Sequence, residues 1–247
     1  HVLLDGHVAT QGRATLAREL EAPGLLGFEP ALEARPAQET ARAVGPVVTL
    51  GVSREELLAV LAGNTDLVQG LFRTIAESTA GTKTPPVMAG TAVEDLTSFD
   101  TGELTLIQKI VALQQTPIFA GLASAELAQL GTIAQEVSLQ AGAVYSDETD
   151  SPVMCVVLEG ALSLRDPETH VERYRAGVGD AVGVFETLVG TRHGAVGRGP
   201  LRLVVASSAS VLRIDRDDLF DLISQRPRLL QQLFSALFGT HAPTARV

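Results

Sequence analysis

The cysteine, serine and histidine residues of this sequence do not form the patterns that are typical of catalytic sites or metal sites. The only cysteine, Cys155, lies in the apolar run 153–158 without a basic neighbour, which is the setting of a buried thiol and not of a nucleophile. Neither a Ser/His/Asp nor a Cys/His arrangement has a recognisable setting. The five histidines lack the helical or paired spacing of metal ligands; they are His1, His7, His170, His193 and His241. The sequence therefore predicts no enzyme and no metal.

Two short motifs have the residue types of a ligand site but not its spacing. Asp147, Glu148 and Asp150 form an acidic loop without the further oxygen ligands of a calcium site, so we expect the tip of a solvated hairpin. Gly177 and Gly179 lack the third glycine of a dinucleotide-binding loop and stand between short apolar segments, so we expect a turn.

The charge of the chain argues against a polyanionic partner. The formal net charge is -10, and lysine occurs only at Lys83 and Lys109. A nucleic acid or an anionic membrane is repelled on average, and the Arg-rich stretch 192–202 is short and glycine-rich. We expect no nucleic-acid binding, and no membrane contact by this chain itself because no apolar run approaches the roughly 20 residues that span a bilayer. A single cysteine cannot form a disulfide within the chain, so the cytoplasm is the expected location.

An internal repeat organises the elements that would position a site. The segment 50–61 aligns without gaps on 212–223, so that Leu50 corresponds to Leu212. In each copy a strand precedes a helix; Ser53 and Glu56 predict a capping box in the first, and Asp215 predicts an N-cap in the second. A second amphipathic helix follows in both copies. The match continues at the same offset through Leu67, Gln69, Leu71 and Phe72, which fall on Leu229, Gln231, Leu233 and Phe234.

A second correspondence makes the repeat as large as a domain. Residues 2–8 match 156–162, and both predict an apolar strand, a turn formed by an acidic residue and a glycine, and a returning strand. The turns would lie at Asp5-Gly6 and Glu159-Gly160. Because the chain begins in mid-strand at His1, we expect a fragment of a larger protein whose first domain is truncated at its N-terminus.

Domain limits follow from the repeat and from composition. Residues rich in Thr, Gly, Pro and Ala lie between the copies and predict a linker. In the second copy, a helix is expected over 104–114 and another after the cap Ser124, followed by short strands separated by turns. Such strands flanked by helices favour a small antiparallel roll or barrel. The expected organisation is a partial domain at 1–78, a linker at 79–102, a complete domain at 103–240 and a tail at 241–247.

Three segments of the second copy resemble the cyclic-nucleotide-binding family. Residues 116–127 look like its leading segment, 157–160 looks like its central hairpin, and 213–219 looks like its junction of strand and helix after the ligand pocket. The resemblance covers most of 104–239, and the repeat extends it to 1–77. It implies a mainly β fold with flanking helices, made of two jelly-roll-type β-rolls, the first of them N-terminally truncated.

The resemblance also implies where a ligand would bind. In such domains a Gly-Glu pair starts a short helix and an Arg follows about ten residues on; the helix N-terminus and the Arg meet the cyclic phosphate, and the Glu accepts from the ribose hydroxyl. In the first copy Gly27 is followed by Phe28, and Ala37 stands at the Arg position, with Glu29 close to the missing acid. We call this ligand-binding segment, from the glycine through the short helix to the Arg position, the cassette. We therefore expect the cassette of the first copy to be degenerate.

The second copy departs from the pattern as well but offers substitutes. Gly183 is followed by Val184, and His193 occupies the approximate Arg position. Glu186 lies near the missing acid and Arg192 within one residue of the missing base, so a shifted loop would restore some contacts. Alternatively, these are solvated loop charges.

These departures favour a non-catalytic regulatory or assembly module of a larger protein, with no cofactor. The resemblance implies comparable tandem domains at the ends of bacterial membrane transporters and other multidomain proteins. The expected partner is the rest of a parent protein, a protein partner or a second copy in a homo-oligomer. The alternative is a sensor that binds cyclic AMP or cyclic GMP through an atypical second pocket. A transcription factor of the cyclic-AMP receptor type would need a helix-turn-helix that these residues do not contain.

The last predicted helix, 228–238, carries more large apolar side chains than one face of a short helix buries. Leu230, Phe234 and Phe238 would stay partly exposed and form an interaction surface unless another helix covers them. The helix expected over 104–114 is the alternative cover.

Overall fold

The structure is a computed structural model that describes residues 1–12, 18–32, 36–78, 87–88, 104–146, 152–190 and 201–238. The contacts divide the chain into a first unit, His1–Ala62, and a second unit, Gly63–Val247. The repeat places residues 63–78 with the first domain, whereas this division assigns them to the second unit. A repeat shows which segments have similar sequences, but it does not show which segments pack together. The domain limits inferred from the repeat therefore remain a prediction.

The first unit contains two small antiparallel sheets and two helices. Its elements are β1 (Val2–Asp5), β2 (His7–Gly12), β3 (Arg18–Glu21), β4 (Gly24–Leu25), α1 (Phe28–Leu32), β5 (Glu39–Ala43), β6 (Val48–Leu50) and α2 (Arg54–Leu61). The strand orders are β4-β1-β6 and β3-β2-β5. The consecutive strands β1 and β2 are thus the central strands of two different sheets.

The second unit contains one larger antiparallel sheet with helices around it. Its elements are α3 (Thr65–Ser78), β7 (Val87–Met88), α4 (Leu106–Gln115), α5 (Ser124–Ile133), β8 (Gln135–Leu139), β9 (Val144–Ser146), β10 (Met154–Arg165), β11 (Glu172–Ala176), β12 (Ala181–Val182), α6 (Val184–Val189), β13 (Arg202–Ile214), α7 (Arg216–Gln225) and α8 (Pro227–Phe238). The strand order is β7-β12-β10-β13-β8, with β11 beside β10 and β9 beside β13. Antiparallel strands with flanking helices are the fold class that the sequence predicts; over the described residues the sheets do not close into a barrel.

One strand lies where the sequence predicts only a linker. The backbone of β7 pairs with β12, matching Met88 with Ala181 and Val87 with Val182. Composition alone does not reveal such a strand, because its pairing partner lies far along the chain. The rest of the predicted linker lies outside the described residues.

The predicted turns at Asp5-Gly6 and Glu159-Gly160 are not hairpin turns. β10 continues through Gly160 along β13, with shifts of register on both sides of the glycine. Gly160 has a φ of 76°, and a Cβ atom there would lie 2.1 Å from the carbonyl oxygen of Ser208. At Gly6 the φ is 90°, and a Cβ atom would lie 2.4 Å from the carbonyl oxygen of Pro46. Gly160 is needed for a bulge and Gly6 for a bend between β1 and β2, each at a place where two backbones approach closely, and the prediction of hairpin turns was wrong.

The two units share the register of strand pairing around these glycines. Positions that correspond in the two copies of the repeat pair with partners that also correspond. Val2 pairs with Leu50 as Val156 does with Leu212, and Val8 pairs with Ala43 as Leu162 does with Val205. The same backbone arrangement therefore occurs in both units.

Two helices begin with the side-chain caps that their sequences specify. At α2 the backbone N–H of Glu56 donates to Ser53 Oγ at 3.2 Å, and the N–H of Ser53 donates to the Glu56 carboxylate at 2.8 Å. These hydrogen bonds lower the pKa of Glu56. At α4, Thr105 and Gln108 form an equivalent box. The predicted box at Ser53 is confirmed, because it depends on residues only three positions apart.

Two other predicted caps differ in detail. Ser124 is the first helical residue of α5 and not its cap; Ala123 occupies the N-cap position, and its N–H donates to the Glu126 carboxylate at 3.1 Å. Asp215 does occupy the N-cap position of α7, but its carboxylate accepts from Arg213 Nε at 2.9 Å and not from the helix backbone.

The apolar face of α8 is covered within the second unit. Leu230 and Phe234 are buried, and the ring centroid of Phe234 lies 6.5 Å from that of Phe72 in α3. The partial exposure predicted for these two residues is not found, because α3 packs where open surface was expected. The side chain of Phe238 lies outside the described residues.

The structure also shows the surroundings of the single cysteine and of the possible metal ligands. Cys155 is fully buried in the hydrophobic core of the second unit, and burial raises the pKa of its thiol to about 12, so the predicted burial of this thiol is confirmed. In the part of the chain that the structure describes, no cluster of three or more His, Cys, Asp or Glu could hold a metal ion. Within the same ranges, no helix combines the length and hydropathy needed to cross a membrane. The predicted acidic loop and His241 lie outside the described residues.

Candidate functional site

Each predicted cassette begins with the same backbone feature. Gly27 and Gly183 have φ angles of 68° and 75°, and a short helix starts at the next residue in both units. A left-handed residue reverses the chain direction between an extended segment and a helix, and glycine adopts this conformation at little cost. The glycines identified by the resemblance therefore do begin short helices, α1 and α6.

A hydrogen-bonded turn at Gly177 to Asp180 comes directly before the second cassette. The N–H of Gly177 donates to the Asp180 carboxylate at 2.8 Å, and the N–H of Asp180 donates to the Gly177 carbonyl at 3.0 Å. The Asp180 carbonyl in turn accepts from the N–H of Val157 in β10 at 2.9 Å. The predicted turn at Gly177 and Gly179 is thus present, and it ties the start of β12 to the central strand.

Every residue of α6 is buried by the protein itself. This includes Val184, which stands where the family pattern has a carboxylate, and Glu186, the candidate substitute in the first turn of the helix. α6 packs against β10 and α3. The position at which the resemblance implies an acceptor for a ribose hydroxyl is therefore an aliphatic side chain in contact with protein.

The first cassette has an apolar side chain at both the acid position and the base position of the family pattern. Phe28 begins α1 and is half-buried, and Ala37 is exposed in the segment before β5. The backbone of Glu29 lies in α1, whereas its side chain is outside the described residues. A methyl group at Ala37 cannot bind a phosphate, so this cassette lacks the cation at the place where the resemblance requires one.

The segment of sequence after α6 contains the remaining candidates. Arg192 and His193 lie in 191–200, outside the described residues. Their predicted roles as ligands of a cyclic phosphate therefore stay predictions.

Two arginines that the sequence analysis did not single out bind the cassette helices. Arg54 Nε donates to the carbonyl of Ala31, and Arg216 Nε donates to the carbonyl of Thr187, each at 3.0 Å. Each arginine is the first residue of the helix after the cassette, and each carbonyl belongs to the fourth residue of the cassette helix. The two arginines occupy corresponding positions of the repeat, and this identity is the signal that could have identified them.

This contact satisfies a carbonyl near the C-terminal end of the cassette helix. Helix C-terminal carbonyls lack intrahelical partners, and a cation there interacts favourably with the helix dipole. In the second unit, Arg216 also lies over the ring of Phe220 at 4.9 Å from the centroid. Gly190 gives the guanidinium room, because a Cβ atom there would lie 2.9 Å from Arg216 Nη2.

The charge of Arg216 therefore lies at the end of α6 opposite to the one where an anion would bind. Burial lowers the pKa of Arg216, and the nearby positive charge of Arg73 in α3 lowers it further, although Asp217 opposes this change. A guanidinium that donates to a carbonyl and stacks on a ring has a structural role in this geometry.

Comparison with known proteins finds similarity in solved structures. No family model matches the chain, and no curated protein matches it. The structure of a cyclic nucleotide-binding-like protein from Brucella abortus is 20% identical, covers 47% of this chain and 97% of its own, and has a TM-score of 0.39. The N-terminal domain of a transcriptional regulator from Streptomyces coelicolor is 23% identical, with coverages of 51% and 86% and a TM-score of 0.42.

A third structure matches both units of the chain. The regulatory subunit of a cAMP-independent protein kinase A from Trypanosoma cruzi, bound to guanosine, is 13% identical and covers 95% of this chain and 70% of its own, with a TM-score of 0.41. At these identities the likeness concerns the fold alone. The solved structures that match this chain are thus those of cyclic-nucleotide-binding domain proteins, the family that its motifs resemble.

Proposed function

We propose that this chain is a non-catalytic regulatory or assembly module of a larger protein, whose two cassettes retain the backbone of a cyclic-nucleotide-binding domain without its ligand chemistry. Phe28 and Val184 replace the acid that such a cassette needs, and Ala37 replaces the base of the first cassette. The module acts by presenting a protein surface in the cytoplasm to the rest of its parent protein, to a partner or to a second copy.

The observation that carries this proposal is the burial of α6. A cyclic nucleotide brings a phosphate and a ribose hydroxyl into its pocket, and burying these groups without a placed counter-charge and acceptor costs free energy. At Val184 the cassette offers a buried aliphatic group instead of an acceptor, and Arg216 is engaged at the opposite end of the helix.

One observation supports the second candidate, a sensor of cyclic AMP or cyclic GMP. Glu186 lies in the first turn of α6, only two positions after Val184, and Arg192 and His193 follow soon after the helix in the sequence. These residues supply an acid and a base close to the missing ones, and with a shifted backbone they would restore some of the contacts.

Calorimetric titration of the chain with cyclic AMP and cyclic GMP separates the two functions. We expect no binding tighter than about 10 μM, a standard free energy near -7 kcal/mol. Tighter binding would establish the sensor, and Arg192→Ala should then abolish it. Arg198→Ala is the matched control, because Arg198 belongs to the same glycine-rich stretch of sequence but stands beyond the positions that the resemblance assigns to the ligand.

A further inference from the structure

α3 is part of the second unit although the repeat associates it with the first. Its buried residues Val68 and Phe72 lie one helical turn apart on one face, and the helix packs against α6 and α7. Its counterpart in the repeat is α8, the helix that it contacts through the ring pair of Phe72 and Phe234. The second cassette is thus covered by a helix that precedes its own domain in the sequence.

Three contacts define α3: one with α7, one local cap at its own start and one with α8. The N–H of Gly63, just before the helix, donates at 3.0 Å to the carbonyl of Ser224 near the end of α7. Asn64 Oδ1 accepts from the N–H of Leu67 at 3.1 Å and caps the first turn. The ring pair then fixes the middle of the helix. The first two contacts are polar and at the helix start, whereas the third is apolar and depends on one side chain, Phe72.

A second segment covers the strand of the cassette. β12 pairs with β10 on one edge, and β7 occupies its other edge. We call α3 and β7 together the strap. The strap contacts both elements of the cassette, α6 and β12.

The short length of α6 makes its position depend on this cover. A helix of this length is far below the roughly 12 residues at which an isolated helix becomes even marginally stable, so tertiary packing must hold it. α3 and β10 both pack against α6, and Arg216 donates to its fourth residue. Movement of α3 would remove the cover from one side of α6.

We propose that the strap is a built-in clamp that holds the second cassette closed, so that the position of α3, and not a bound nucleotide, sets the state of α6. The clamp rests on the proposed function in one respect, namely that no bound ligand holds α6 in place. It goes beyond that function by naming the element through which the rest of the chain acts on the cassette.

Amide hydrogen exchange of the full chain tests the clamp. Phe72→Ala should speed exchange of 184–189 on the order of tenfold or more, while the amides of β10 and β13 keep their rates, because local opening does not require the sheet to unfold. Leu67→Ala is the matched control: Leu67 lies on the same helix but is exposed, so this change should leave α6 unaffected. Unchanged exchange of α6 in Phe72→Ala overturns the proposal, and so does equal acceleration throughout the second unit.

A milder variant decides the matter should Phe72→Ala fail to fold. Phe72→Leu keeps an apolar side chain at the position but removes the ring contact with Phe234, and it should speed exchange of α6 alone, by about threefold. No change in this variant would overturn the clamp.

The two proposals fail in different ways. If cyclic AMP binds and exchange of α6 in the nucleotide-free protein still depends on Phe72, the ligand-free function is wrong, whereas the clamp stands for the nucleotide-free protein. If nothing binds and exchange of α6 is indifferent to Phe72, the clamp is wrong and the ligand-free function stands.

Discussion

The two units place corresponding residues in different environments. Leu50 in β6 is 54% exposed, whereas Leu212, its counterpart in β13, is 0% exposed. Val60 in α2 is 54% exposed, whereas Leu222 in α7 is 8% exposed. Both pairs are corresponding positions of the repeat and lie in equivalent elements, and the strands of Leu50 and Leu212 share the same register. Equal backbones thus coexist with unequal burial.

Elements outside the repeat account for the difference. In the second unit α4 packs on β10 and α5 packs on α7, so that sheet and helix are both covered. Among the described residues, the first unit has no helix corresponding to α4 or α5. The comparison teaches that the repeat determines which backbone contacts form, while additional elements determine how much apolar surface leaves water.

The largest difference between the units should appear when the paired leucines are truncated. Leu212→Ala should destabilise the second unit by about 2–5 kcal/mol, because a cavity forms in a covered core. Leu50→Ala should cost roughly 0.5 kcal/mol, because the side chain is already exposed. Urea unfolding followed by tyrosine fluorescence reports the second unit, since the chain has no Trp and its two tyrosines, Tyr145 and Tyr174, lie there.

Amide exchange of β1 and β6 reports the first unit in the same experiment. A loss at Leu50→Ala as large as that at Leu212→Ala would mean that another element covers the first sheet in solution, and the comparison would then fail.

The two glycines at close backbone approaches should respond alike, because these approaches depend only on the repeat. Gly160→Ala and Gly6→Ala each force a Cβ atom against a facing carbonyl oxygen and also incur the left-handed backbone cost of about 1–2 kcal/mol. Each should therefore destabilise its own unit by more than that cost, as measured by amide exchange of the flanking strands. Gly142→Ala is the control, since Gly142 has a φ of 82° but open space around it. Equal effects of all three substitutions would show that the close approach contributes nothing.

The arginine contact should also be common to both units, with a smaller effect. Arg216→Ala should destabilise the second unit by about 1–2 kcal/mol, since a hydrogen bond from a charged donor is lost at a partly exposed site. Arg54→Ala should speed exchange of α1 in a comparable way. Arg228→Ala removes an exposed arginine from α8 and should change neither unit. If only Arg216 matters, the contact is specific to the covered unit and not to the repeat.

The smallest expected effect concerns a charge that the repeat does not share. Asp166, whose counterpart in the repeat is Gly12, accepts from the N–H of Thr169 at 3.0 Å and from Arg173 Nη2 at 3.1 Å. These partners lower the pKa of Asp166 to about 2, so its ionised form stabilises the folded state above the unfolded pKa of about 4. That contribution is lost as the pH falls through 2.

Thermal melting of Asp166→Asn between pH 7 and pH 3 checks this dependence. We expect a small decrease in melting temperature at pH 7 that narrows below about pH 4. Glu168→Gln, in the same turn, should show no such narrowing. If the difference in melting temperature between Asp166→Asn and the unmodified chain stays constant from pH 7 to pH 3, the ion pair is not its cause.

Local signals in the sequence predicted local structure well. Ser53 with Glu56 specified a helix start, and Gly27 and Gly183 marked the start of both cassette helices. Each of these features depends on residues within a few positions of each other. The candidate site was predictable to the same extent: its backbone was identified, whereas the contacts of Arg54 and Arg216 were not.

The predictions that failed required knowledge of a distant partner. Gly160 has the composition of a turn, but the carbonyl of Ser208, far along the chain, makes it a bulge in a continuous strand. Phe234 belongs to an exposed-looking stripe, but Phe72 covers it from a helix much earlier in the sequence. No pattern within either segment records these neighbours.

The sequence by itself determined most of the order of strands and helices, the capping box at Ser53, and the two glycine-led cassettes without a carboxylate at their first position, because each follows from side-chain types and spacings along the chain. Only the tertiary structure decided that α6 is closed over by α3, that β7 joins β12, and that one copy of the repeat is covered while the other is exposed. The physical reason is that apolar burial depends on which surfaces meet. The hydrophobic effect is non-directional, so an apolar stripe indicates that it will be covered but not by which element.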